Sequence, residues 1–128
     1  MTSQLLNVSF DCADPYELAG WWSQVTGHPR ADGDLAGDPE ASVALPGGGD
    51  LFFQAVPETK TVKNRVHVCL EPDGPRDAEV ERLLGIGASM VADRRESDGT
   101  GWAVLADPEG NEFCVLRSAA ERAATSHT

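Results

Sequence analysis

The spacing of apolar positions changes period several times along the chain. LLNVSFDC (5–12) is mainly apolar and reads as a buried strand. Asp14-Pro15 then offers a cap followed by proline at the first helical position. Leu18, Ala19, Trp22 and Val25 recur at helical spacing, and Gly27 stops that element. After a loop rich in Gly, Asp and Pro (28–40), ASVALP (41–46) and LFFQAV (51–56) read as a hairpin turned by GGGD.

The second half repeats this order. RVHVCL (65–70) reads as a strand, and PDGP breaks the chain before a helix from Arg76 to Leu84. Val80, Leu83 and Leu84 form its apolar stripe, with Asp77, Glu81 and Arg82 left for solvent. GIGAS ends the helix. SMVADR (89–94) and GWAVLA (101–106) flank a turn at Asp98-Gly99, and DPEGN leads into EFCVLR (112–117). The tail, 118–128, has helical propensity at first and then frays.

A fixed offset relates the halves: Asn7 with His67, Gly27 with Gly87, and Gln54 with Cys114 each differ by 60. The expectation is an α+β fold of two tandem βαβββ modules, 5–56 and 65–117, joined by the linker 57–64 within a single domain, 1–128. Neither module buries both faces of its sheet alone. Paired, they form one curved mixed sheet around a concave cavity, with the helices outside. A small organic ligand belongs in such a concavity.

Alternation sharpens the candidate residues. In RVHVCL, Val66, Val68 and Leu70 share one face, which the helices should cover, so His67 and Cys69 face the other. Phe52 shares a face with Gln54, and Trp102 lies on the strand before the final hairpin. Phe52 and Trp102 are therefore candidates for stacking on a ligand. Trp21 and Trp22 point about 100° apart on a helix, one toward the sheet and one near its edge. Arg94 and Arg95 read by default as a solvated strand end, with binding of an acidic substrate the alternative, and Lys60, Lys63 and Arg65 as a solvated linker.

At 128 residues, with 41% hydrophobic and 24% charged positions, the chain suits one compact globular unit. Its net charge of −11 argues against nucleic acid and anionic membranes and is compatible with a cationic ligand. No apolar run approaches the roughly 18 residues of a membrane span. The start, MTSQLLNVSFDC, lacks a basic segment followed by an apolar one, so the cytoplasm is the expected location. Three cysteines without CxxC spacing read as buried free thiols. Phosphate-binding glycine loops and a serine-hydrolase elbow are missing.

Three stretches, DCADPYELAGWWSQVTG (11–27), KNRVHVCL (63–70) and LADPEGNEFCVL (105–116), resemble the vicinal oxygen chelate superfamily and its glyoxalase-like domain subgroup. The resemblance runs from Leu5 to Arg117. In metal-using members, ligands come from the first and last strands of each module, places that fall here on Asn7, Gln54, His67 and Cys114. His or Glu is usual at each, and only His67 matches. Two neutral amides and a thiol poorly suit a site that wants about three imidazole or carboxylate donors. Glu112, on the same face as Cys114, reads as reaching the rim. The expectation is no resident metal or cofactor.

What the resemblance then implies is a metal-independent enzyme of lyase or isomerase type. His67 would be the general acid/base beside a carbonyl, with Asn7 and Gln54 orienting substrate oxygens. Alternatives are a metal-free drug-sequestering protein, as in bleomycin resistance, and a divalent-metal lyase or dioxygenase. Taken on the stretch NRVHVCL alone, His67 reads first as a core histidine, and the rest of the chain shifts that balance. A homodimer anchored on Trp21 or Trp22 is expected, since a sheet edge or helix flank remains to be covered.

Overall fold

The structure, a computed structural model, describes residues 1–125. The chain divides into two compact units, Met1–Thr59 and Lys60–Thr128. Among the described residues no helix is long and apolar enough to cross a membrane.

The first unit contains β1 (Asn7–Cys12), α1 (Pro15–Thr26), β2 (Glu40–Ala44) and β3 (Asp50–Ala55). Its sheet has the order β1-β3-β2, with β1 parallel and β2 antiparallel to the central β3. Asp14 caps α1 by accepting from the Glu17 amide at 3.2 Å, Pro15 opens it, and Gly27 closes it at φ 76°. One face of the sheet carries Phe10, Cys12, Ala41, Val43, Leu51 and Phe53, all buried. Against it α1 sets Leu18, Ala19, Trp21 and Trp22, also buried. Phe10 lies 5.2 Å from Trp22 and 5.1 Å from Phe53, centroid to centroid. Aromatic contacts at this spacing add about 1 kcal/mol each beyond the area they bury.

Two expectations change here. The first unit is βαββ rather than βαβββ. The place of its missing strand is marked by a single bridge, Arg30 to Val43. Arg30 instead lays its guanidinium 3.8 Å above the Tyr16 ring and donates Nε to the Tyr16 carbonyl at 2.9 Å. The segment runs beside β2, where the Ala31 amide donates to the Ser42 carbonyl at 2.9 Å. The Asp34 carboxylate, however, accepts from the Ser42 amide at 3.0 Å and takes the place of a further ladder bond. Trp21 and Trp22 both belong to the core and offer no surface to anchor a second copy.

The second unit contains β4 (Val68–Leu70), α2 (Arg76–Gly85), β5 (Ser89–Arg95), β6 (Gly101–Ala106), β7 (Glu112–Val115) and α3 (Ala119–Thr125). Its sheet order is β4-β7-β6-β5, with β4 parallel to β7 and the other neighbours antiparallel. Ala103, Leu105, Phe113 and Val115 face Val80 and Leu83 of α2, all fully buried. Pro75 gives α2 no side-chain cap, and Glu121 of α3 supplies one instead, accepting from the Arg76 amide at 2.8 Å. The same carboxylate accepts from the Ser118 amide at 2.9 Å, while the Ser118 hydroxyl accepts from Glu121 at 3.1 Å. This reciprocal box starts α3. The helical propensity read at the start of the tail is realised as α3; residues 126–128, on which the expected fraying falls, lie outside the described residues.

β4 begins at Val68, not Arg65. His67 directly precedes it, and Val66 is 81% exposed rather than covered by a helix. The cause is local: the Asn64 side chain accepts from the Glu112 amide at 3.0 Å, replacing ladder pairing at that end of β7.

Candidate functional site

In the second unit, alternation assigns His67, Cys69, Glu112, Cys114, Trp102 and Val104 to the sheet face opposite α2. The register places Cys69 beside Cys114, and Cys114 beside Val104 of β6. His67 and Cys69 are exposed, whereas Cys114 is buried. One imidazole nitrogen of His67 and the Sγ atoms of Cys69 and Cys114 lie within 4.8 Å of one another. Trp102, paired with Arg94 across β5–β6, lies one pleat from Val104 and is 44% exposed.

Electrostatics separates the two thiols. Burial pushes the Cys114 thiol up to about 11, and the neighbouring Cys69 adds to the shift against a smaller opposing pull from Lys63. Cys114 is thus a protonated wall of the site near neutrality. Lys63 is not a free linker charge, since its ammonium pairs with the Glu112 carboxylate. Glu112 does not reach into solvent as a rim residue: its side chain is 12% exposed and held by that pair.

Two other features brace this face. The Asp107 carboxylate accepts from the Glu109 amide at 2.9 Å and the Asn111 amide at 3.0 Å, so the DPEGN stretch sets the turn into β7. Arg76, only 4% exposed, reaches from α2 to the β5–β6 turn. Its Nη1 donates to the carbonyls of Gly99 (3.3 Å), Thr100 (2.9 Å) and Gly101 (3.0 Å). Gly101 has φ 86°, and a Cβ there would meet the Arg94 carbonyl oxygen at 2.1 Å. Arg95 is also not a solvated end, because it pairs with Asp93 at 2.8 Å and Asp77 at 3.1 Å.

Asn7, Phe52 and Gln54 lie in the first unit, and all three face away from α1. Asn7 pairs with Asp50, Phe52 with Ser9 and Gln54 with Asp11. Asn7 and Gln54 are therefore four residues apart along the strands, about 13 Å. The register also corrects the repeat. β1 pairs with β3 at positions 43 apart (Asn7 with Asp50), but β4 pairs with β7 at positions 45 apart (Val68 with Phe113). If Asn7 corresponds to His67, the counterpart of Cys114 is Phe52, and Gln54 falls two residues beyond. The turns agree, since Pro46-Gly47-Gly48 and Pro108-Glu109-Gly110 are related by 62.

A hard divalent cation does not fit the four positions that the resemblance marks. Asn7 Oδ1 accepts from the Ser9 hydroxyl at 3.2 Å, Gln54 is a neutral amide, and Cys114 is a buried thiol. Cys69 was not among the candidates, because it stands at none of the four places that the resemblance marks; expected to be buried, it is exposed beside His67. The pattern His-x-Cys, with a third donor on the paired strand, was the available signal.

The sequence model of the glyoxalase-like domain matches residues 7–116. Among solved structures, one similar chain is described as a glyoxalase/bleomycin resistance protein/dioxygenase family enzyme from Burkholderia phytofirmans PsJN. It has 20% identity and a TM-score of 0.67, over 88% of this chain and 97% of that one. Another is the fosfomycin resistance protein FosX from Listeria monocytogenes, a mutant solved with Mn(II) and 1S,2S-dihydroxypropylphosphonic acid. It has 14% identity and a TM-score of 0.68, over 99% and 100% of the two chains. TioX from Micromonospora sp. ML1 has 20% identity and a TM-score of 0.62, over 90% and 98%. At these identities the likeness shows the fold alone. A comparison with curated protein sequences found no match.

Proposed function

The chain belongs to the glyoxalase-like domain family, and from that premise we propose that it is a small-molecule enzyme moving a proton beside a carbonyl, with His67 as general acid/base. The observation that supports this reading is the exposed imidazole on a sheet face that α2 leaves uncovered, with an exposed Trp102 on the same face. An unprotonated ring nitrogen takes a proton from the carbon next to the carbonyl and returns it to a neighbouring atom, which is lyase or isomerase chemistry. Trp102 offers a flat apolar surface on which a ligand stacks. No hard divalent cation is part of this mechanism.

The test is deuterium exchange from D2O into a panel of small carbonyl compounds, followed by NMR. Wild type should exchange the proton beside the carbonyl of its substrate, and His67→Gln should lower the rate by about 10²–10⁴-fold. Because His67 is exposed, the variant's melting temperature should stay unchanged. Undiminished exchange in His67→Gln overturns the reading.

A second reading rests on the first unit. Its face opposite α1 carries Asp11, Glu40 and Asp50, all exposed, beside Phe52 and Gln54. Acids around an aromatic suit capture of a cationic drug-like compound. Calorimetry showing tight binding without conversion, weakened by Phe52→Ala, would favour sequestration. We further propose a homodimer formed through strand edges rather than through Trp21 or Trp22. Sedimentation as a monomer at micromolar concentration refutes it.

A further inference from the structure

Three soft or borderline donors meet in the second unit, and only two of them stand at positions that the family resemblance marks. We infer that His67, Cys69 and Cys114 form a binding site for one soft divalent cation of the zinc or cadmium type, built entirely within this unit. The parallel register fixes the two sulfurs: Cys69 and Cys114 are partners on strands about 4.8 Å apart. His67 is two residues before Cys69 and shares its face.

The distances suit contraction onto an ion. All three donor sites already lie within 4.8 Å of one another. A tetrahedral ion with bonds of about 2.3 Å to sulfur needs its sulfurs about 3.8 Å apart, a closure of at most about 1 Å. Cys114 belongs to the buried wall, while Cys69 and His67 are exposed, and the Cys69 thiol already engages that of Cys114. Two thiolates and an imidazole select zinc or cadmium over magnesium, calcium or manganese. Three protein donors leave a fourth position for water or a ligand. Glu112 lies on the same face, but Lys63 holds its carboxylate. Cys12 takes no part; it belongs to the first unit, where its thiol donates to the Gln54 carbonyl at 3.6 Å.

A bound cation takes the imidazole lone pair that proton transfer at His67 requires, so loading and that chemistry exclude one another. Binding itself is independent of turnover and is tested without it. The reduced, chelator-stripped full-length protein is titrated with Cd2+ under argon, reading thiolate-to-cadmium charge-transfer absorption and counting bound metal by dialysis. One Cd2+ per chain should bind, with the absorption breaking at one equivalent. Cys69→Ser should weaken binding at least about tenfold and lose part of the band, and His67→Gln should weaken binding while the band remains. Retention of full affinity by either variant overturns the three-donor site. So does stoichiometric binding without charge-transfer absorption, which would place the ion on carboxylates.

Discussion

Replacing Arg76 by methionine keeps the aliphatic stem inside the second unit and deletes the guanidinium that ties α2 to the β5–β6 turn. Three carbonyls, those of Gly99, Thr100 and Gly101, then lose a charged donor. Hydrogen bonds to a charged group contribute about 1.5–3 kcal/mol each when buried. These three residues are half-buried, so water replaces part of that contribution. The pair with Asp77 adds little, because the Asp77 side chain is 68% exposed. The net loss should be about 3 kcal/mol. At a urea dependence of about 2 kcal/mol/M, the unfolding midpoint should fall by about 1.5 M with an unchanged slope. Hydrogen exchange should locate the loosening at residues 95–102 ahead of α1. A loss below about 1 kcal/mol with unchanged exchange at that turn would refute the role given to Arg76.

Three further outcomes follow from the same geometry. In the native protein iodoacetamide should label Cys69 first, with Cys12 and Cys114 protected until denaturation, as peptide mass spectrometry will show; equal labelling of Cys69 and Cys114 contradicts the burial described. The Cys114 thiol, pushed up to about 11 by burial and by Cys69, gives stability that is present below the unfolded value of about 8.5 and lost as pH rises through 11. The carboxyls of Asp77 and Asp93 behave oppositely. Hydrogen bonds from Arg76 hold Asp77 below its usual value, and those from Arg95 hold Asp93 at about 2. Their contribution is present above the unfolded value of about 3.9 and lost as pH falls through the folded values. The stability gap between wild type and Arg76→Met should therefore narrow below about pH 4, and a constant gap would show that Asp77 is not coupled to Arg76.

Much of the fold was legible because period and punctuation agree. Asp14-Pro15 and Gly27 bound α1 within a residue of expectation, and β6 spans 101–106 as read. Strand ends were less legible where side chains compete with the ladder. Asn64 intercepts the Glu112 amide and shortens β4, and Asp34 intercepts the Ser42 amide and stops the segment beside β2 from becoming a strand. Alternation correctly set His67 and Cys69 on one face, yet nothing local reveals that Cys69 is exposed while Cys114 is buried. That difference depends on β7 lying inside its sheet and β4 at the edge. The repeat failed at Gln54 for a related reason: a two-residue difference between the halves is invisible until strands are paired. Arg76 was legible only as a helix residue, because its partners are backbone carbonyls of another hairpin.

The central claim, that the face opposite α2 in the second unit binds the substrate, is tested most directly by NMR of the three tryptophan indoles during titration with a carbonyl compound that exchanges deuterium. The account predicts that the exposed Trp102 indole and the His67 ring resonances shift together and saturate, while the buried Trp21 and Trp22 indoles stay in place. Movement of Trp21 or Trp22 with Trp102 and His67 unmoved would contradict it.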